Sequence, residues 1–230
     1  MAKELHASYS FLNTNLLTHL PENLGLVLDI GCGTGELGAE YKKHNSDSEW
    51  HGIDIHSGAI SQAKKNLDQA WKIDAEDFKT NATMKKKKYD ALVYSLSLEQ
   101  LADPQPSLEK HLKVLKKNGQ LFFCFPNVQH WTLLRHVISG NWDFSEKGIL
   151  NKDNQHLFTR KSFMRMLDSV DLKMTDLNRY SYENDPLFRS RRGARIKTIE
   201  KLRDFCKDTQ LYFNENDFRT YHYVISANRK

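Results

Sequence analysis

The densest chemistry in the sequence lies in residues 27–38, VLDIGCGTGELG. Gly31, Gly33, Gly35 and Gly38 follow an apolar run that carries Asp29 and ends in Ile30. Glycine accepts left-handed dihedrals and, having no Cβ, lets a ligand come within contact distance of the main chain. A loop of this kind leading into a helix suits a nucleotide-like ligand lying over the helix start. Further acids stand at Asp54, in HGIDIH, and at Asp74-Ala75-Glu76-Asp77. Gly33-Thr-Gly35-Glu-Leu-Gly38 formally matches the dinucleotide pattern GxGxxG. In that pattern, however, the first glycine follows the strand directly. Here Gly31 takes that place, and Glu36 stands where the third glycine of that register belongs.

The elements that must hold these residues alternate between strand and helix through the first half of the chain. Strand patterns cover 26–30, 50–55, 70–73, 89–95 and 120–125. Helical patterns cover 36–43, 57–67 and 107–117, the last closed by Asn118-Gly119 as a C-cap. Such alternation is the mark of a parallel sheet covered on both faces. Further on, 128–139 has apolar residues at helical spacing, 141–155 reads as irregular, and Thr159 suits an N-cap for a helix over 160–170. Two more strands, 172–180 and 221–227, flank a charged helical stretch at 194–207. With no repeat and no low-complexity linker, one domain over 1–230 is the simplest account.

Composition narrows the setting. The chain has 230 residues, 39% of them hydrophobic and 27% charged, which suits a water-soluble globular protein. No apolar run is long enough to span a bilayer, and the start MAKELHASYSF lacks the core of a secretory signal. The three cysteines, Cys32, Cys124 and Cys206, are far apart and without metal-ligand spacing, so a reduced, cytoplasmic setting is expected. The net charge of +5 is concentrated in Lys85–Lys88 and in Arg189, Arg191, Arg192 and Arg195. These clusters suit a nucleic acid or an anionic head group, but equally a solvated loop and an exposed helix start.

The order Asp29-x-Gly31-x-Gly33-x-Gly35 resembles the first motif of class I S-adenosylmethionine-dependent methyltransferases, and three later features agree in the right order. Asp54 ends the second strand, and Asp74 to Asp77 come after the third. The segment YDALVYSLSLEQLADPQPSLEKHLKVLKKNGQLFFCFPN resembles the family's fourth strand with its succeeding helix, turn and strand. The resemblance implies a Rossmann-like α/β fold with a mostly parallel seven-stranded sheet, helices on both faces and an antiparallel final strand. It also implies S-adenosyl-L-methionine as cofactor and S-adenosyl-L-homocysteine as product. Asp29, Gly31, Cys32, Gly33 and Gly35 would then meet its methionine moiety and ribose, and Asp54 with Ile55 the ribose hydroxyls. Asp74, Ala75 and Glu76 would lie at the adenine, with Ser95 and Leu96 after the fourth strand. Beyond residue 127, FPNVQHW, WDFSEKGIL and HLFT resemble small methyltransferases associated with polysaccharide biosynthesis. That implies a small-molecule acceptor, with a saccharide or saccharide-linked hydroxyl favoured.

Methyl transfer from a sulfonium is an in-line displacement with a neutral leaving group, so positioning is the main task. A hydroxyl acceptor must also lose a proton, which calls for a nearby base. His130, five residues past the fifth strand, and His156, in the irregular segment, are the expected candidates, with 128–159 as a cover and 180–220 as a second substrate-side insertion. Trp131, Trp142 and Phe144 suit an apolar wall or sugar stacking, and core packing as well. Glu99-Gln100 stands where quinone-pathway O-methyltransferases carry Glu-His, a pair that helps hold a divalent metal in some of them. Glutamine is a poor metal ligand, so no metal is expected. Tyr94-Ser95-Leu96-Ser97 lacks the Asn/Asp-Pro-Pro-aromatic motif of amino-directed nucleic-acid enzymes, which argues against a nucleic-acid acceptor. That reading and a non-catalytic cofactor-binding protein stay open as alternatives.

Overall fold

The computed structural model describes residues 10–78, 84, 87–181, 192–209 and 213–230. Seven strands form one sheet in the order β3-β2-β1-β4-β5-β7-β6. Strands β1 (Leu26–Ile30), β2 (Glu49–Asp54), β3 (Gln69–Lys72), β4 (Tyr89–Ser95) and β5 (Leu115–Pro126) run parallel. The last strand, β7 (His222–Arg229), lies antiparallel between β5 and β6 (Leu172–Tyr180). The expected fold class is what the chain adopts.

The central strands are apolar on both sides, as a sheet covered twice requires. Because successive strand residues point to opposite faces, Leu92, Tyr94, Phe123 and Phe125 enter one core. Ala91, Val93, Phe122 and Cys124 enter the other. The first core is closed by α4 (Pro104–Leu112), through Leu108 and Leu112, and by α6 (Arg160–Ser169), through Phe163 and Leu167. On the opposite face lie α1 (Thr14–Leu17), α2 (Glu36–Lys42) and α3 (Ser57–Asn66), with Leu16, Leu37, Tyr41 and Ile60 inward. Thr159 caps α6 as expected: its hydroxyl accepts from the Ser162 N–H at 3.1 Å, and the Ser162 hydroxyl accepts from the Thr159 N–H at 2.9 Å. After α5 (Trp131–Ile138), residues 139–156 are largely irregular. Beyond β6 the described chain forms α7 (Arg192–Asp208) and α8 (Glu215–Arg219).

One boundary differs. The helix expected over 107–117 is Pro104–Leu112, opened by proline in its first turn, where the missing N–H costs nothing. Strand β5 already begins at Leu115, because the Tyr89 N–H donates to the Val114 carbonyl at 2.9 Å and Tyr89 pairs with Leu115. Asn118-Gly119 is therefore no helix cap; it sits in a bulge of β5 between the Tyr89–Leu115 and Ala91–Gln120 pairs. Gly119 is absent from the left-handed glycines, so the backbone conformation of a C-cap is missing too. Of the two basic clusters, Lys85, Lys86, Arg189 and Arg191 lie outside the described residues. Lys87 pairs with Glu49 and Lys88 donates to the Lys113 carbonyl.

Gly52 lies in mid-β2, where a Cβ would come 2.5 Å from Cys32 Sγ and 2.6 Å from a Leu67 methyl. Gly52→Ala should cost about 1–3 kcal/mol through overpacking. Urea denaturation checks this, and an unchanged midpoint would contradict the packing described.

Candidate active site

The site is built where the carboxyl ends of the parallel strands meet, the usual crevice of open α/β sheets. Past β1, the N–H groups of Gly31 and Cys32 both donate to the Ile53 carbonyl, at 2.9 and 3.0 Å. The loop is thereby folded over the end of β2. Gly31 has φ +76°, and a Cβ there would stand 2.5 Å from Ser97 Cβ, so the position needs glycine for both conformation and space. Ser97 fixes the same corner by donating its hydroxyl to the Ile30 carbonyl at 2.5 Å. Asp54 completes the frame: its carboxylate accepts from the Gly33 N–H at 3.0 Å and from the His56 N–H at 2.7 Å.

A cavity of about 540 Å³ opens over this frame, within the size range of small-ligand sites. Of the cofactor-side candidates, Asp29, Gly31, Cys32, Gly33, Asp54, Ser95 and Leu96 line it. Gly35 sits behind the lining, as the left-handed N-cap of α2 at φ +82°. Ile55 stands 62% exposed next to Asp54. Asp74, Ala75 and Glu76 leave β3 at the same edge of the sheet but do not line the cavity. The Ala75 carbonyl lies 2.8 Å from His111 Nε2, and the Glu76 carboxylate accepts from the Asp103 N–H at 2.9 Å.

The two candidate bases lie outside the lining. His130 is 1% exposed, with Nδ1 2.7 Å from the Thr132 hydroxyl and its ring edge-on to Tyr221. His156 places Nε2 2.6 Å from the Ala102 carbonyl and stacks on Phe158. Both positions follow from how the segment is anchored. Asn127 forms a bridge with Phe158, and the Glu99 carbonyl accepts from the N–H groups of Gln155 and His156, each at 2.9 Å. The far end of the cavity is lined instead by Glu99, Asn151, Asn154, Tyr221 and His222, together with the charged Glu146, Lys147 and Asp153. The bridging that brings Tyr221 and His222 here is non-local, so no short motif announces them. Glu99 was visible in the sequence only as half of a metal pair. Among the described residues no group of three His, Cys, Asp or Glu side chains is placed to hold a metal ion.

Burial sets the charge state of this cavity. Asp29 is 1% exposed, and its Oδ1 has no partner among the described residues. Desolvation, assisted by the nearby Asp54 charge, pushes its pKa up to about 7. Glu99 is also 1% exposed with Oε2 unpartnered, and burial pushes it up to about 8. At the same end, burial pushes His222 down to about 4.

A family model described as "Methyltransferase domain" matches residues 22–170, which hold the glycine frame. The chain belongs to this methyltransferase family. A malonyl-[acyl-carrier protein] O-methyltransferase from Brevibacillus brevis is 29% identical over 54% of this methyltransferase chain. The match spans 46% of that protein, about half its length. A ubiquinone biosynthesis O-methyltransferase from Coxiella burnetii is 23% identical over 68% of the chain and 67% of that protein. Among solved structures, the N-methyltransferase NodS from Bradyrhizobium japonicum, in complex with S-adenosyl-L-homocysteine, shares the fold with a TM-score of 0.57. That match covers 99% of this chain and 93% of NodS at 14% identity.

The raised carboxyls make stability fall with pH. A folded-state pKa above the unfolded value means that the folded chain keeps a proton which the unfolded chain releases. For Glu99 that window runs from its ordinary 4.5 to about 8, and the loss is about 1.4 kcal/mol per pH unit. Glu99→Gln should therefore gain stability over the wild type between pH 5 and pH 8. Denaturant unfolding at the two pH values measures this, and parallel losses in both proteins would rule it out.

Proposed function

We propose that the protein transfers a methyl group from S-adenosyl-L-methionine to a hydroxyl of a small molecule, with a saccharide or saccharide-linked acceptor favoured. The observation that carries this reading is the two-ended cavity: a glycine cradle with buried acids at one end, a polar lining of mixed charge at the other. When bound, the cofactor supplies an electrophilic methyl group on a positively charged sulfur. The residues present fit it. The unpartnered Asp29 oxygen offers an acceptor to a cationic ligand, and Gly31 leaves the main chain open to close approach. Asp54 retains lone pairs for ribose hydroxyls beyond the two amides it already holds.

At the other end, the amides of Asn151 and Asn154 suit a polyhydroxyl acceptor, since each amide offers both donors and an acceptor. The O-methyltransferase names of the two relatives support a hydroxyl over an amine. For the saccharide, support comes from the sequence resemblance beyond residue 127 and from Trp142 and Phe144, half-exposed in the segment leading to the cavity rim. Residues 128–159 serve in this reading as the cover of the acceptor end. Among the described residues no helix is long and apolar enough to cross a membrane.

Calorimetry should detect S-adenosyl-L-homocysteine binding and no comparable NAD binding. Asp54→Ala should weaken the former at least about tenfold, the worth of one charge-assisted hydrogen bond. Equal affinity in the variant, or a preference for NAD, would overturn the assignment. Methyl transfer should also proceed alike in chelator and in added magnesium, because Gln100 supplies no good metal ligand. A reversible loss of turnover in chelator would contradict that.

A further inference from the structure

A hydroxyl acceptor leaves one chemical task unassigned, the removal of its proton. His130 is sealed from the cavity and His156 is tied to the Ala102 carbonyl. A third histidine does reach the cavity. His222 opens β7 and pairs with Pro126 at the carboxyl end of β5, and both residues line the cavity. Its half-buried ring makes no hydrogen bond among the described residues; its one ring contact is edge-on to Tyr221, with centroids 4.7 Å apart.

The backbone around it is firmly held. The Tyr221 N–H donates to the Tyr180 carbonyl at 2.7 Å, and the Asn127 N–H donates to the Tyr221 carbonyl at 2.8 Å. A functional side chain is best placed on such a fixed strand. The place along the sheet is also right. The glycine cradle belongs to β1 and β2, whereas His222 lies across β4 and β5 from it, toward the acceptor end.

We infer that His222 is the general base that receives the acceptor's hydroxyl proton during methyl transfer, an assignment that rests on the methyltransferase reading above. The acceptor oxygen forms a bond to the methyl carbon, and the electron pair of the broken carbon–sulfur bond stays with sulfur. The hydroxyl proton passes to a bare imidazole nitrogen of His222, and the resulting imidazolium returns it to solvent through the cavity mouth. A strong base is not needed. As the oxygen gains the methyl carbon its proton becomes very acidic, so a weak base in place is sufficient. Burial keeps the imidazole neutral near pH 7, so that a lone pair is present in nearly every molecule.

The test uses the full chain and methyl-labelled S-adenosyl-L-methionine, with a small-molecule extract of the source cells as acceptor pool. His222→Gln should keep S-adenosyl-L-homocysteine affinity within about twofold, while label incorporation falls by about a hundredfold or more. His222→Ala, with room left in the cavity, should recover part of the loss on addition of free imidazole. A merely structural histidine would not give that rescue. Near-normal incorporation by His222→Gln, a joint loss of affinity and transfer, or no imidazole rescue overturns the base assignment. A wild type that binds S-adenosyl-L-homocysteine but labels nothing overturns the methyl-transfer reading instead, and the base with it.

Discussion

Two amides converge on one carbonyl, those of Gly31 and Cys32 on Ile53, and the functional half of the molecule depends on that turn. It carries the chain off the end of β1 and across β2, which puts Asp29 beneath the loop and Asp54 beside it. Asp54 then holds the Gly33 N–H, and Ser97 holds the Ile30 carbonyl. A side chain at position 31 would meet Ser97 and require a rare backbone conformation at once. Because three strands contribute to the corner, the cradle is fixed relative to the sheet, and with it the end of the cavity where a ligand's charge must settle.

The cavity is costly to fold. Asp29 and Glu99 are buried acids with an oxygen lacking a partner, and each holds a proton more tightly than it would in water. Such groups weaken a folded chain, and their persistence in a cleft is a mark of function. On the acceptor side of this reading the lining is mixed: His222, Glu99 and two asparagines stand with the charged Glu146, Lys147 and Asp153.

How much of this was legible in the sequence depended on distance along the chain. The glycine loop, Asp54 and the strand cores are local patterns, and the structure places them as the alternation and spacing indicate. The α4–β5 junction was misread because Asn118-Gly119 has the composition of a helix cap, while the Tyr89–Leu115 pairing that decides the matter joins separate strands. The same limit governed the histidines. Position after β5 drew attention to His130 and His156, yet Thr132, Tyr221 and the Ala102 carbonyl occupy them. His222 reaches the cavity only because β7 inserts between β5 and β6, which no periodicity within 213–230 reveals.

That insertion also sets an order in time. The cradle is assembled from β1, β2 and β4, whose pairs join Leu26 to Glu49 and Val27 to Ala91, while Pro126 must wait for His222. Contacts close in sequence form ahead of those that must close a long loop. On a ribosome, every residue of the glycine cradle is therefore synthesised before His222 is added to the wall opposite. The residues of the cradle thus precede, in the order of synthesis, the strand that closes the cavity's other side.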